Sequence, residues 1–372
     1  MVDIEISEGK RARTAYSFDD ISIVPSRRTR EPQDVSLTWQ IDAYKFDLPL
    51  LAAPMDSVVS PETAIAIGRL GGLGVLNLEG LWTRYENPKI QLGEISSIPA
   101  EQATARMQEL YKAPIRPELI KERIAEIRAA GVTVAGALSP QRTAEFHKAV
   151  IDAGVDIFVI RGTTVSAEHV SKEKEPLNLK KFIYELDVPV IVGGSATSQS
   201  ALHLMRAGAA GVLVGFGGGA AHTTRQVLGV SVPMATAVAD VASARREYLD
   251  ESGGRYVHVI ADGSVGKSGD IAKAIACGAD AVMLGSPLAR AEEAPGRGWH
   301  WGTEAHHPEP EVPRGTRVHV STAGTLQEIL LGPSHAADGS MNLFGALRRA
   351  MATCGYSELK EFQRVEVVLN RA

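Results

Sequence analysis

A (β/α)8 barrel is the fold this sequence predicts: an α/β TIM barrel with an insertion after its second strand and a C-terminal extension. Three observations lead there. The first is Tyr256 to Ser286, YVHVIADGSVGKSGDIAKAIACGADAVMLGS, where two short apolar runs, Val257 to Ala261 and Ala281 to Leu284, flank a helical segment closed by Gly278. Unbroken apolar runs suit parallel strands buried on both faces, and a glycine just past a helix is the usual C-cap. The second is a motif of helix, glycine and short apolar strand, recurring in AAGVTVAGAL (129–138), DAGVDIFVI (152–160), RAGAAGVLVG (206–215) and ACGADAVMLG (276–285). The third is the count. With VPVIVGG (188–194), YVHVIA (256–261) and two earlier runs, strand and helix alternate eight times, which favours a closed barrel over a doubly wound sheet.

In chain order, residues 1–47 read as an N-terminal arm. Residues 1–15 mix charges without a period; from Tyr16, SFDDISIVPS alternates like a strand until Pro25, and Arg27, Arg28 and Arg30 make a basic turn, either solvated or a subunit contact. Leu48 to Ala53 is the first buried strand, Ser60-Pro61 opens a helix in N-cap and N1 order, and residues 71–77 give the second strand. Residues 79–114 are polar, proline-bearing and too long for an ordinary strand-to-helix connection, so they read as an insertion at the mouth. Helices are expected over 117–130, 141–153, 177–186, 198–207, 235–249 and 270–277. From residue 295 the regularity stops, and 295–341 reads as a mouth loop and extension before a last helix, 342–354, outside the barrel. All of 1–372 is expected to form one barrel domain.

Composition narrows the function. A chain of 372 residues, 44% hydrophobic, buries a large core, and a net charge of -5 gives no global attraction for nucleic acid or acidic membranes. A small polar or charged metabolite is the expected partner. The start of the chain lacks a basic segment leading into an apolar one, and no apolar run approaches spanning length, so a cytoplasmic protein is expected. Cys277 and Cys354 both fall in predicted helices and read as inert buried thiols.

Barrels bind ligands at the C-terminal ends of their strands. The candidate site is therefore residues 53–57, Asn77, 161–164, 193–197, 215–225, 262–265 and 285–286. Two glycine turns, Asp262-Gly263-Ser264 and Gly285-Ser286, expose N–H groups beside helix starts and read as a phosphate cradle, with Asp262 suited to ribose hydroxyls. Ordinary strand-to-helix loops have the same composition. GFGGGAAHTTR (215–225) lets backbone approach a ligand or ion, or moves as a flap, or is merely flexible; within it His222 is placed to exchange protons and Thr224 to hydrogen-bond a reacting group. His258 reads as a satisfied interior histidine in mid-strand. His300, His306 and His307 read as solvated loop residues, since no carboxylate spacing supports zinc. Arg161 ends an apolar strand, where an unpaired charge is costly, so it meets either an acidic side chain or an anionic ligand.

Taken together, YSFDDISIVPS, APMDSV, GRLGGLGVLN, AGVDIFVI, VGGSAT, GFGGGAAHTTR, SVPMATAVADVA, the run from Ala261 to Gly296 and GALRRAMATCGY resemble the IMP dehydrogenase and GMP reductase family, collinearly from about Tyr16 to Gln363. The resemblance implies a (β/α)8 oxidoreductase of guanine nucleotide metabolism that binds a purine nucleotide (IMP, XMP or GMP) and converts IMP to XMP with NAD. It also implies a homo-oligomer, a tetramer or octamer. Residues 79–114 are too few for the paired CBS module, which places the chain in a short branch.

Carried over by position, the resemblance gives Asp262 the ribose, Gly263, Ser264, Gly285 and Ser286 the phosphate, and Met55 a contact beneath the nucleotide. Ser195 falls at a substrate position, Asn77 and Arg161 on the cofactor side, and Thr224 at a catalytic threonine. Gly215, Gly217 and His222 would turn backbone carbonyls to K+. Departures accompany the match. His222 stands where the family's GSICTTR motif has its nucleophilic cysteine, and neutral imidazole is a poorer nucleophile than thiolate. Ala220 replaces a phosphate-binding serine, Ser195 an asparagine and Arg161 an aspartate. GRGWHWGTEAHH stands where the family holds the base with a GMG motif, and the Arg-Tyr flap has no counterpart. Three readings follow: an IMP dehydrogenase-type enzyme with His222 in a changed role, a regulatory binding homologue without turnover, or an altered reaction on another phosphorylated ligand.

Overall fold

Short runs of Val, Ile, Leu, Ala and Gly, almost wholly shielded from water, make the strands: β1 Leu50–Ala52, β2 Leu73–Asn77, β3 Ala135–Leu138, β4 Ile157–Arg161, β5 Val190–Ser195, β6 Gly211–Val214, β7 His258–Asp262 and β8 Ala281–Leu284. Each pairs in parallel with the next, and β8 pairs with β1, so the sheet closes into a barrel with no free edge. This computed structural model describes residues 3–162, 164–166, 169–170, 177–216, 218–306 and 317–370.

Helices follow the strands as α1 Pro61–Arg69, α2 Pro117–Ala129, α3 Pro140–Asp152, α4 Leu179–Tyr184, α5 Ser198–Arg206, α6 Met234–Glu251, α7 Ser268–Ala276 and α8 Leu343–Thr353, the last packing on α7. Their starts are chemically marked. Ser60, Ser139, Asn178 and Thr197 each accept the backbone N–H three residues on, capping α1, α3, α4 and α5. Among the described residues no helix is long and apolar enough to cross a membrane.

The arm is more ordered than its composition suggests. Asp3–Ser7 and Lys10–Arg13 form an antiparallel hairpin, its charges having masked a strand pair, and Arg13 meets Asp240 of α6 at 2.6 Å. The expected alternation at SFDDISIVPS is one turn of 3-10 helix, Phe18–Asp20, then a strand, Ile21–Ile23, paired with Val367–Leu369. A second hairpin, Trp39–Ile41 with Tyr44–Phe46, closes the N-terminal end of the barrel, where Ile41 is fully buried. His258 opens β7 at that end instead of lying in mid-strand. It packs edge-on to Trp39 and Tyr256, and among the described residues its buried Nδ1 has no hydrogen-bond partner, the Asp280 carboxylate lying 3.9 Å away, so it is not the fully satisfied histidine expected.

The segment 79–114 is partly helical, over Lys89–Ser97 and Ala100–Leu110, and the second helix packs on the turn Thr303–His306. That contact brings a distant loop down over the barrel mouth.

Candidate functional site

At the C-terminal ends of the strands lies a cavity of about 420 Å³, within the usual range of roughly 300–1,000 Å³ for small-molecule sites. Met55 after β1, Arg161 at the end of β4, the glycine loop after β6, Asp262 to Gly266 after β7 and Gly285-Ser286 after β8 all line it. Thus Met55, Arg161, Gly215, His222, Asp262, Gly263, Ser264, Gly285 and Ser286 share one wall. Asn77, Ser195 and Thr224 do not reach it.

The reasons differ. Asn77 is buried and accepts the Glu79 N–H at 3.2 Å, which turns it away. Ser195 spends its hydroxyl on Ser200 at 2.6 Å, beside the start of α5. Thr224 is buried and donates to Glu304 at 3.3 Å. Gly217 and His307 lie outside the described residues, so of the three carbonyl donors for K+ only Gly215 and His222 are placed.

Two charge pairs face the cavity. Arg161 Nε donates to Asp262 Oδ2 at 3.1 Å, joining the ends of β4 and β7. Of the two partners expected for Arg161, the acidic side chain is therefore present, and it is the carboxylate that the resemblance gives to the ribose. In the second pair, His222 Nδ1 lies 2.9 and 3.0 Å from the two carboxylate oxygens of Glu304. Burial opposes charge on Glu304, but the hydrogen bond and charge of His222 outweigh it and hold the carboxyl below its ordinary value. An ionised carboxylate only accepts, so Nδ1 carries the proton and Nε2 is the nitrogen left for a ligand.

The β6 loop and the β7 turn meet through glycine. Ser264 sits at φ 55° and donates both its N–H and its hydroxyl to the Gly218 carbonyl, at 3.1 and 3.2 Å. Gly263 has φ 105°, and a Cβ there would stand 3.3 Å from Gly218 backbone, so only glycine lets the β6 loop close onto the β7 turn. Gly285 precedes the short helix Ser286–Ala289, whose first N–H groups have no intrahelical partner.

The solvated-histidine expectation fails for His300 and His306. His300 is 1% exposed and lines the cavity, and His306 stacks on Tyr111 with ring centroids 3.5 Å apart. Tyr111 explains this: it donates to buried Asp56 at 2.5 Å and accepts from the Trp301 indole at 2.9 Å, pinning the loop to the inserted helix.

The profile of the IMP dehydrogenase / GMP reductase domain matches residues 15–308. The chain belongs to that family. A solved IMP dehydrogenase/GMP reductase-like protein from Corynebacterium glutamicum superposes with a TM-score of 0.94 at 52% identity, covering 99% of this chain and 98% of that one. A protein of Mycolicibacterium smegmatis named an uncharacterized oxidoreductase is 53% identical over 370 residues, 97% of this chain and 98% of its own. The inosine-5′-monophosphate dehydrogenase of Methanocaldococcus jannaschii is 29% identical over 477 aligned positions, covering 95% of this chain and 92% of its own length. That alignment is longer than the 372 residues here, so the archaeal protein has stretches this chain lacks. The chain is a short member of the IMP dehydrogenase / GMP reductase family without CBS domains.

This family member has no thiol at its cavity. Cys277 caps α7 and Cys354 caps α8, and burial pushes both thiols up. Glu304, Tyr111 and Trp301 were not singled out in the sequence, and His300 was read there as a solvated loop residue. A lone glutamate in a histidine-rich loop was the available sign, but its partner is 82 positions away and no period links them.

Asp56 supplies a pH test. Burial, opposed by its bonds from Tyr111 and Leu81, raises it from 3.8 to about 6. A carboxyl raised on folding stabilises fully below its unfolded value and loses that contribution as pH rises through the folded one. Asp56→Asn removes the titration, so between about pH 4 and 7 the variant should gain on the natural protein by on the order of 3 kcal/mol. Urea unfolding at both ends of that range measures it; a constant gap would mean that Asp56 titrates normally.

Proposed function

We propose that the cavity binds a purine nucleoside 5′-monophosphate, IMP, XMP or GMP, and that His222 with Glu304 acts on it as an acid–base pair where the family uses cysteine. The reaction in this reading is IMP to XMP with NAD, in a cytoplasmic homo-oligomer, tetramer or octamer. The observation that carries it is the pairing of His222 Nδ1 with a buried carboxylate at the cavity wall. A carboxylate behind an imidazole holds its tautomer and orientation, the arrangement of a general base. Facing the C2 carbon of a bound hypoxanthine, Nε2 would take a proton from water as the water oxygen bonds to C2 and the C2–N3 π pair moves to N3; return of that pair would expel the C2 hydride, for which NAD would be the acceptor. The phosphate would lie on the turns at Gly263-Ser264 and Gly285-Ser286.

Asn77 accepts the Glu79 N–H and Arg161 donates to Asp262, so both side chains on the expected cofactor side are already engaged. That observation favours a second reading, a nucleotide-binding regulatory homologue without turnover. Absorbance at 340 nm with IMP and NAD separates the two, run beside His222→Cys. Turnover by the natural protein supports the acid–base reading; silence there with activity in the cysteine variant supports a scaffold that lost its nucleophile.

Binding is tested first. IMP at 100 times its Kd should stabilise the protein by about 2.7 kcal/mol, read as a rise in Tm. Asp262→Ala should abolish the rise, and its persistence would put the ligand elsewhere.

A further inference from the structure

His300 is in the short strand Trp299–His300, opposite Val318. It is 1% exposed, it lines the cavity, and neither ring nitrogen has a hydrogen-bond partner among the described residues. In the unfolded chain water would serve both. Burying them unmet is a loss that phenylalanine, of similar shape, would not incur, so packing alone does not account for a histidine here.

The neighbours do not relieve it. His222 and Glu304 are bonded to each other, and Thr224 also gives its hydroxyl to Glu304. Burial and the nearby His222 push His300 down to about 4, so near neutrality its ring has one N–H donor and one bare acceptor. Among the described residues no group of three His, Cys, Asp or Glu could hold a metal. The same cavity offers Met55 and Met283 as apolar surface and the glycine turns as an anion cradle.

We propose that His300 is a specificity-determining residue that reads the base: a ring nitrogen hydrogen-bonds the polar edge of a purine whose ribose 5′-phosphate rests on the glycine turns. This rests on the nucleotide reading above and goes further, since it assigns base recognition to a side chain of the mouth loop. Among the described residues the imidazole has no hydrogen-bond partner, and the ligand would supply one.

The test is calorimetric titration of the natural protein, His300→Phe and His300→Gln with IMP and with ribose 5-phosphate, which lacks the base. The natural protein should bind IMP more tightly than ribose 5-phosphate. His300→Phe should weaken IMP roughly 5- to 50-fold and leave ribose 5-phosphate unchanged, while the Tm of the free protein holds or rises. His300→Gln, which keeps a donor and an acceptor, should recover part of the loss. Unchanged IMP affinity in His300→Phe overturns the inference, as does an equal loss for both ligands with a lower Tm, the mark of a packing role. Equal affinity of the natural protein for the two ligands also overturns it but leaves the phosphate site standing. If neither ligand binds, the nucleotide reading fails and the inference with it.

Discussion

Glu304→Gln should lower turnover of the IMP reaction by roughly 10²- to 10⁴-fold, the usual worth of a positioned acid or base. Glu304 lies within 3.0 Å of His222 Nδ1 through both oxygens, and its side chain is 7% exposed. Glutamine fits the same space, but it removes the negative charge that stabilises a protonated imidazole. Its amide nitrogen would also donate toward Nδ1, favouring the tautomer that puts the proton on Nε2, where a base must be bare. The glycine turns at 262–264 and 285–286 are untouched. The Kd for IMP from thermal shift should therefore stay within a few-fold while kcat falls, a split that misfolding would not give. An unchanged kcat would reduce the His222–Glu304 contact to a structural one.

The fold was legible because barrel strands buried on both faces leave a local record. β6 and β8 are unbroken apolar runs preceded by a glycine that ends a helix, and that grammar needs no distant information. The arm was less legible: the hairpin of Asp3–Ser7 and Lys10–Arg13 has an exposed, charged composition, and nothing local distinguishes it from a loop. At the site, topology alone brought Met55, Arg161, His222, Asp262 and the two glycine turns together, because strand ends in a barrel converge. It could not say which way side chains turn. Asn77 and Ser195 sit at strand ends but face inward, toward Glu79 and Ser200. Glu304 and His300 belong to no strand of the barrel, and Trp301 and Tyr111 bring them to the mouth through a bond between residues 190 positions apart. Contacts of that range follow from packing, not from period or motif.

The largest loss of stability should follow from Asp280→Ala, about 3–5 kcal/mol, at the opposite end of the barrel. Asp280 precedes β8 and is 4% exposed. Its Oδ2 accepts from Arg245 of α6 and from the Val259 N–H of β7, both at 2.8 Å; its Oδ1 accepts from the Tyr256 hydroxyl at 2.6 Å and from Gln363 at 3.0 Å. One carboxylate thus joins α6, β7, β8 and the C-terminal segment. Burial and the Asp280 charge push the Tyr256 phenol up, so it stays a neutral donor. Alanine leaves the Arg245 guanidinium buried without its counter-charge, and such an uncompensated charge costs more than the pair was worth. Against a total stability of roughly 5–15 kcal/mol, the loss would show as a large fall in the urea midpoint. Arg245→Met combined with Asp280→Ala should cost less than the two single changes summed, because the double variant buries no lone charge. Below the unfolding transition, IMP affinity should match the natural protein, since the cavity lies at the other end of the strands. Additivity of the two changes would show that Asp280 acts through its backbone and tyrosine bonds instead of through Arg245.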